Sequence, residues 1–201
     1  MSRDRTIHDV TADPRDLRIV ATLAAAFQDD PALSWIQPDP EARRRLLPRF
    51  FKVTEAQSIR HGHVLASEDR AAASLWYPPG AIADNRLVEM WDSLRFLAYF
   101  KGALGRGLAV AEAMYAQHPQ PQPYVYLRYV GVAPEAQGKG WGGAIVRAGV
   151  ARAAEQGLGV LLETATESNV AIYSRLGFEI TSEWHVPKGG PRFWTMVHPA
   201  P

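Results

Sequence analysis

Gln137-Gly138-Lys139-Gly140-Trp141-Gly142-Gly143 constrains this chain more than any other stretch, because of what stands on either side of it. The run Tyr124-Val125-Tyr126-Leu127-Arg128-Tyr129-Val130-Gly131-Val132 is dense in β-branched and aromatic residues and reads as a strand. Ala133-Pro134-Glu135-Ala136 breaks it, and Ala144 to Glu155 is Ala-rich with apolar residues at helical spacing. Strand, glycine turn and helix together make a phosphate cradle. Glycines let the backbone come close to an anion, and the unpaired N–H groups of a helix start point at it.

Three ligand classes use such a turn, and spacing separates them. A Walker loop needs Ser or Thr after its lysine, whereas Gly140 follows Lys139. Gly138, Gly140 and Gly143 do spell the dinucleotide fingerprint G-x-G-x-x-G, with Glu163 near the place of its ribose-binding acid. That fingerprint starts directly after its strand, but five residues separate Val132 from Gly138 here. The third class is an acyl-coenzyme A loop.

Gln137, Gly140 and Gly142 match the pattern Gln or Arg, two residues, Gly, one residue, Gly or Ala, and so resemble the GNAT superfamily of N-acetyltransferases. Val130-Gly131-Val132-Ala133-Pro134 and Asn169-Val170-Ala171-Ile172-Tyr173-Ser174-Arg175-Leu176-Gly177-Phe178 resemble the same family, in its order and spacing. The resemblance covers roughly Tyr124 to Val197. It implies an α/β (α+β) fold: a mixed, mostly antiparallel sheet of about seven strands, splayed between strands 4 and 5 and flanked by helices. It also implies acetyl-CoA as the acetyl donor, held by Val130, Gly131, Val132, Gln137, Gly138, Lys139, Gly140, Trp141, Gly142, Gly143, Asn169 and Tyr173.

Composition adds bounds. With 201 residues, the expectation is one domain, 1–201, with a core of its own. A net charge of +1 gives no reason to expect nucleic acid or an anionic membrane as partner. The chain has no cysteine, which excludes disulfides, thiolate metal sites and a cysteinyl acyl-enzyme. Met1 to Asp16 alternates charges without an apolar core, and no apolar stretch reaches the length of a membrane span. A cytoplasmic protein, monomer or homodimer, is the expectation. His61 and His63 lack a third ligand at metal spacing, so no metal is expected.

Along the chain, Thr6 to Val10 reads as a strand, and Asp13-Pro14 as the start of a helix that runs to Phe27 and stops at Asp29-Asp30-Pro31. A second helix spans Glu41 to Ile59, with Arg43, Arg44, Arg45 and Arg49 read as a solvated face. His63 to Ser67 and Ala71 to Tyr77 form a hairpin, ended by Pro78-Pro79-Gly80. Residues Arg86 to Gln117 read as two helices split by Gly102, Gly105 and Gly107, a helical insertion over about 84–118 between the third and fourth strands. It either overhangs the acceptor side of the cleft, or adds core or an oligomer surface. Strand Val160 to Thr164, helix Asn169 to Leu176 and strands Phe178 to Val186 and Arg192 to Val197 complete the fold.

An amine attacking a thioester needs an uncharged nucleophile, an aligned thioester, oxyanion stabilisation and a proton for the leaving thiolate. The family pattern implies a fourth strand that splays after Val130, where backbone groups of Val130 and Val132 bind the pantetheine arm as an added strand does. Tyr173 stands four residues after Asn169, on one helix face, and the resemblance makes it the general acid. The other reading is a buried structural tyrosine. Asn169 caps its helix or meets the cofactor arm. Glu163, closing the fifth strand, is the candidate base, either directly or through water, with Asp29, Asp30 and Glu89 behind it. An amine that binds neutral needs no base at all. Asp30, Trp35, Tyr77 and Tyr126 are the candidates for the acceptor pocket, since such pockets are largely apolar and aromatic. The acceptor is read as a primary amine of a small molecule, an aminonucleoside or another antibiotic among them. A protein N-terminus or lysine, and a non-catalytic acetyl-CoA-binding module, are the alternatives.

Overall fold

The computed structural model describes residues 5–13, 16–81, 103–118 and 124–201. Seven strands make one sheet in the order β1-β2-β3-β4-β5-β7-β6. They are β1 (Ile7–Asp9), β2 (His63–Ser67), β3 (Ala72–Tyr77), β4 (Tyr124–Val132), β5 (Gly159–Thr164), β6 (Glu179–His185) and β7 (Arg192–His198). Neighbours are antiparallel except β4 and β5, which are parallel. Their ladder runs only from Tyr124 opposite Gly159 to Tyr126 opposite Leu161. Beyond it the strands part, so the splay starts earlier than the Val130 expected from sequence. The register between β3 and β4 also shifts, with Leu75 opposite Tyr129 and Trp76 opposite Leu127. Arg128 is thus the extra residue of a bulge, which bends β4 where it leaves β5.

Helices α1 (Leu17–Ala26), α2 (Pro31–Ile36), α3 (Pro40–His61) and α4 (Ala103–Gln117) precede β4, and α5 (Trp141–Ala154) and α6 (Glu167–Ser174) follow it. On one face of the sheet, Leu65, Ala72, Trp76, Val125, Leu127, Val160 and Leu162 pack with Ile145, Val146 and Ala153 of α5 and Tyr173 of α6. On the other, Val64, Ala66, Ala73 and Leu75 pack with Leu23 of α1 and Leu47 and Phe51 of α3. Two glycines make these contacts possible. A Cβ on Gly131 would sit 2.9 Å from that of Ala26, so α1 lies directly on β4. A Cβ on Gly149 would sit 2.0 Å from the Trp76 ring, so the indole fills the groove that α5 leaves open.

Several local expectations change. The α1 cap is Asp16, whose carboxylate accepts from the Arg18 N–H, and not Asp13, which meets Arg70 instead. Asp30-Pro31 stops nothing; it starts α2, with Asp30 accepting from the N–H groups of Ala32 and Leu33. Arg43 is not on a solvated face. It is buried and donates to the carbonyls of Gln28, Gln37 and Pro38 at 2.8–2.9 Å, while Arg44, Arg45 and Arg49 stay exposed. Of the two inserted helices, the second is α4; the first, with Glu89, lies outside the described residues.

Candidate active site

Where β4 and β5 part, β4 keeps one edge on β3 and turns the other into the gap. The Ala133 N–H donates to Ala71 of the β3 side at 2.8 Å. Backbone groups alternate along a strand, so those of Val132 and Val130 point into the gap. The Val132 carbonyl does so visibly, accepting from Gln137 Nε2 at 3.1 Å, a contact that ties the loop to the strand end. Gly138 and Gly140 take positive φ of 71° and 82°, the left-handed region that disfavours a side chain. Gly140 is the N-cap of α5, and the helix starts at Trp141, three residues before the sequence expectation. Gly142 and Gly143 therefore belong to its first turn, where N–H groups have no intrahelical partner.

Three cations surround this turn. Lys139 folds its Nζ onto the Glu135 carbonyl at 2.5 Å, and its own carbonyl accepts from Arg5 Nε at 2.9 Å. The Arg5 guanidinium lies 3.2 Å from where a Gly140 Cβ would be, and Arg147 lies 3.3 Å from that of Gly143. Among the described residues, nothing lies within 4 Å of a Cβ built on Gly138. Open backbone amides, a helix start and positive charge suit the pyrophosphate of a coenzyme A thioester. Arg5 and Arg147 escaped the sequence reading because neither stands within the motif.

The acceptor candidates lie on the face away from α5. Tyr77, Tyr126 and Leu161 form one buried cluster there. Arg128 Nη1 donates to the Tyr77 hydroxyl at 2.8 Å, and its guanidinium stands over the Tyr77 ring at 5.2 Å. Glu163 has a side chain with 0% exposure, and Nε2 of His118, 6% exposed, approaches its Oε1 at 2.7 Å. The His118 ring meets Tyr126 edge-on at 4.9 Å. Burial, then the Glu163 charge, pushes the Tyr126 phenol well above its usual pKa. Trp35 is set apart: it packs with Ala32, Val110, Trp184 and Phe193 in a cluster of α2, α4, β6 and β7. Asp30 is spent on its two caps, and burial raises its pKa, so it is a poorer anion than an open carboxylate.

Tyr173 and Asn169 share α6, but Asn169 is not its cap; that position is Thr166, whose carbonyl accepts the Asn169 N–H at 3.0 Å. Tyr173 is buried against Phe178 at 5.8 Å between ring centres. Burial, and next the charge of Asp30, raise its pKa, so the phenol holds its proton more tightly than a free tyrosine. Sequence reasoning missed His118 and Arg128. A lone charge inside the apolar run Tyr124 to Val132 was the available signal for Arg128. His118 left none.

A sheet parted at its middle, with a glycine-capped helix start at the parting, is the frame of an acyltransferase that draws on a coenzyme A thioester. The chain belongs to the Acetyltransferase (GNAT) family, whose model matches residues 62–178, and it is an N-acetyltransferase of that family, which uses acetyl-CoA as donor. An uncharacterized N-acetyltransferase of Schizosaccharomyces pombe, C550.08, is 28% identical over 171 residues, 80% of this chain and 69% of the relative. Solved structures that share the fold include two that illustrate it. One is histone acetyltransferase HPA2 and related acetyltransferase from Corynebacterium glutamicum, with a TM-score of 0.67, 24% identity and 98% and 96% of the two chains covered. The other is a Drosophila melanogaster polyamine N-acetyltransferase, with a TM-score of 0.59, 15% identity and 96% and 99% covered. No helix among the described residues is long and apolar enough to cross a membrane, and no group of three metal-binding side chains occurs among them.

Proposed function

We propose that the protein moves the acetyl group of acetyl-CoA to a primary amine of a small molecule, by direct transfer through a tetrahedral intermediate. The observation that carries this reading is the buried carboxylate of Glu163 on an aromatic face, with Tyr77 and Tyr126, two residues past the last pair of β4 and β5. An enclosed aromatic face suits a compact amine better than a peptide, which needs an open groove. In this reading the glycine turn holds the pyrophosphate and the inward backbone of Val130 and Val132 holds the pantetheine arm. A backbone N–H there stabilises the oxyanion, a contribution of about 2.7–4 kcal/mol per donor in other enzymes. Tyr173 returns a proton to the thiolate, and Glu163 underlies removal of the proton from the amine.

Two acceptor classes head the panel. The Drosophila fold neighbour is described as forming N-acetylagmatine, so polyamine-like cations are one. The other is aminonucleoside antibiotics: Leu23-Ala24-Ala25-Ala26-Phe27, Gln137 to Gly140, Leu162-Glu163-Thr164, Val186-Pro187, Pro191-Arg192, Trp194 and Met196 resemble puromycin N-acetyltransferase. The test is release of free thiol from acetyl-CoA across agmatine, diamines, arylalkylamines, puromycin and a short peptide. Amine-dependent release with a small molecule is expected. Binding of acetyl-CoA with no release for any amine would mean a non-catalytic module, and release with the peptide alone would mean a protein acetyltransferase.

A further inference from the structure

The cation that the glycine motif itself supplies is already engaged: Lys139 donates from Nζ to the Glu135 carbonyl at 2.5 Å. A cation from the start of the chain stands at the turn beside it. Arg5 donates from Nε to the Lys139 carbonyl at 2.9 Å, and its Nη2 lies 3.4 Å from where a Gly140 Cβ would be. Among the described residues this is the one hydrogen bond of the Arg5 side chain, which leaves the Nη1 and Nη2 donors for a ligand. Strand β1 brings the residue there. Ile7 packs against the cluster that holds Ile145 and Val146 of α5, and Asp9 pairs with Arg152 near the far end of that helix. From Asp9 back to Arg5 is about 13 Å at the rise of a strand. From Arg152 back to Gly140 is about 18 Å at the rise of a helix. Long arginine side chains make up the difference, so a strand clasped to one end of α5 delivers a guanidinium to the other. Arg5 stands outside residues 62–178, the part that the family model matches.

We propose that Arg5 is a donor-recognition residue, whose guanidinium takes a phosphate of coenzyme A at the glycine turn. The inference deepens the donor placement proposed above and rests on it. Backbone amides at the turn are neutral donors, so a phosphate held by them alone keeps its charge uncompensated. Arg5 supplies that charge, and its planar fork fits two phosphate oxygens at once, as a lysine ammonium does not. Coenzyme A offers two groups of this chemistry, the pyrophosphate and the 3′-phosphate. The protein would thereby favour thioesters that carry the whole nucleotide over those on a bare pantetheine arm.

The test is titration calorimetry on the full chain with coenzyme A and with dephospho-coenzyme A, which lacks the 3′-phosphate. Arg5→Gln should keep the ligand-free melting temperature, since the side chain is exposed, and weaken coenzyme A by roughly 5- to 50-fold at low salt. The gap from wild type should close as salt rises. Arg5→Lys, which keeps the charge without the fork, should recover part of the loss. A loss for coenzyme A alone would assign Arg5 to the 3′-phosphate, and an equal loss for both ligands to the pyrophosphate. If Arg5→Gln binds coenzyme A as wild type does, the inference is wrong. It is equally wrong if the gap ignores salt, because Arg5 would then only pin the turn through the Lys139 carbonyl. A wild type that binds no coenzyme A would instead remove the donor placement itself.

Discussion

Gly140 separates the two contributions that make the turn an anion site, because an amide and a carboxylate of one shape can be placed there in turn. At φ 82° and ψ 6° the backbone is left-handed, which costs an ordinary L-residue about 1–2 kcal/mol, least for Asn and Asp. Gly140→Asn and Gly140→Asp should therefore fold alike and carry the same backbone strain. They differ in one charge, next to the amides of the α5 start. A carboxylate about 5 Å from a phosphate oxygen is repelled by about 1 kcal/mol in bulk water and about 3 kcal/mol near a protein surface. Arg5, 3.2 Å from the added Cβ, would pair with the new carboxylate and hold the loss toward the lower figure. The expected gap in acetyl-CoA affinity between the two variants is about 1–3 kcal/mol, or roughly 5- to 150-fold. Titration calorimetry at low and at high salt measures it, and the gap should narrow as salt screens an exposed site. Equal affinity for Asn and Asp variants at low salt would show that no phosphate sits at this turn.

Tyr173→Phe should preserve the packing against Phe178 and the KM for acetyl-CoA while lowering kcat by about 10²–10⁴-fold; an unchanged kcat with chemistry rate-limiting would take Tyr173 out of the mechanism. Stability should fall on acidification through His63. Its ring stacks on Trp76 at 5.8 Å, and its pKa is pushed down to about 4, chiefly by burial and then by Arg152, with Asp9 opposing. The unfolded chain, with a histidine near 6.5, binds the extra proton first, so stability rises with pH between about 4 and 6.5 and is lost below. Melting temperatures against pH for wild type and His63→Gln should diverge across that window, and parallel curves would refute the assignment.

What could be read along the chain was whatever repeats or punctuates locally. The aromatic and β-branched density of Tyr124 to Val132 and the glycines of 138–143 placed a strand, a turn and a helix before any contact was known. Errors arose where one signal serves two purposes. Asp30-Pro31 can end one helix or begin another, and here it begins α2. Four arginines in Arg43 to Arg49 look alike as a charge pattern. Only the carbonyls of Gln28, Gln37 and Pro38, gathered at one corner by the fold, select Arg43 for burial. His118 is harder still, because its partner Glu163 lies on the far side of β4 and α5 in the chain, and no local pattern connects them.

Gly149 and Trp76 tie together the two faces of the sheet that the proposed function assigns to different ligands. The indole is wedged into α5, the helix whose first turn carries Gly142 and Gly143, and its Nε1 is fastened to Ser74 Oγ at 2.7 Å. The next residue on β3, Tyr77, points through the sheet to the opposite face and receives Arg128. One peptide unit thus joins the two faces of the sheet, so packing on one side is coupled to packing on the other. In the proposed reading, α5 thus backs the floor on which the acceptor rests. On the placement proposed for donor and acceptor, substitutions in α5 behind Trp76 are expected to change acceptor preference.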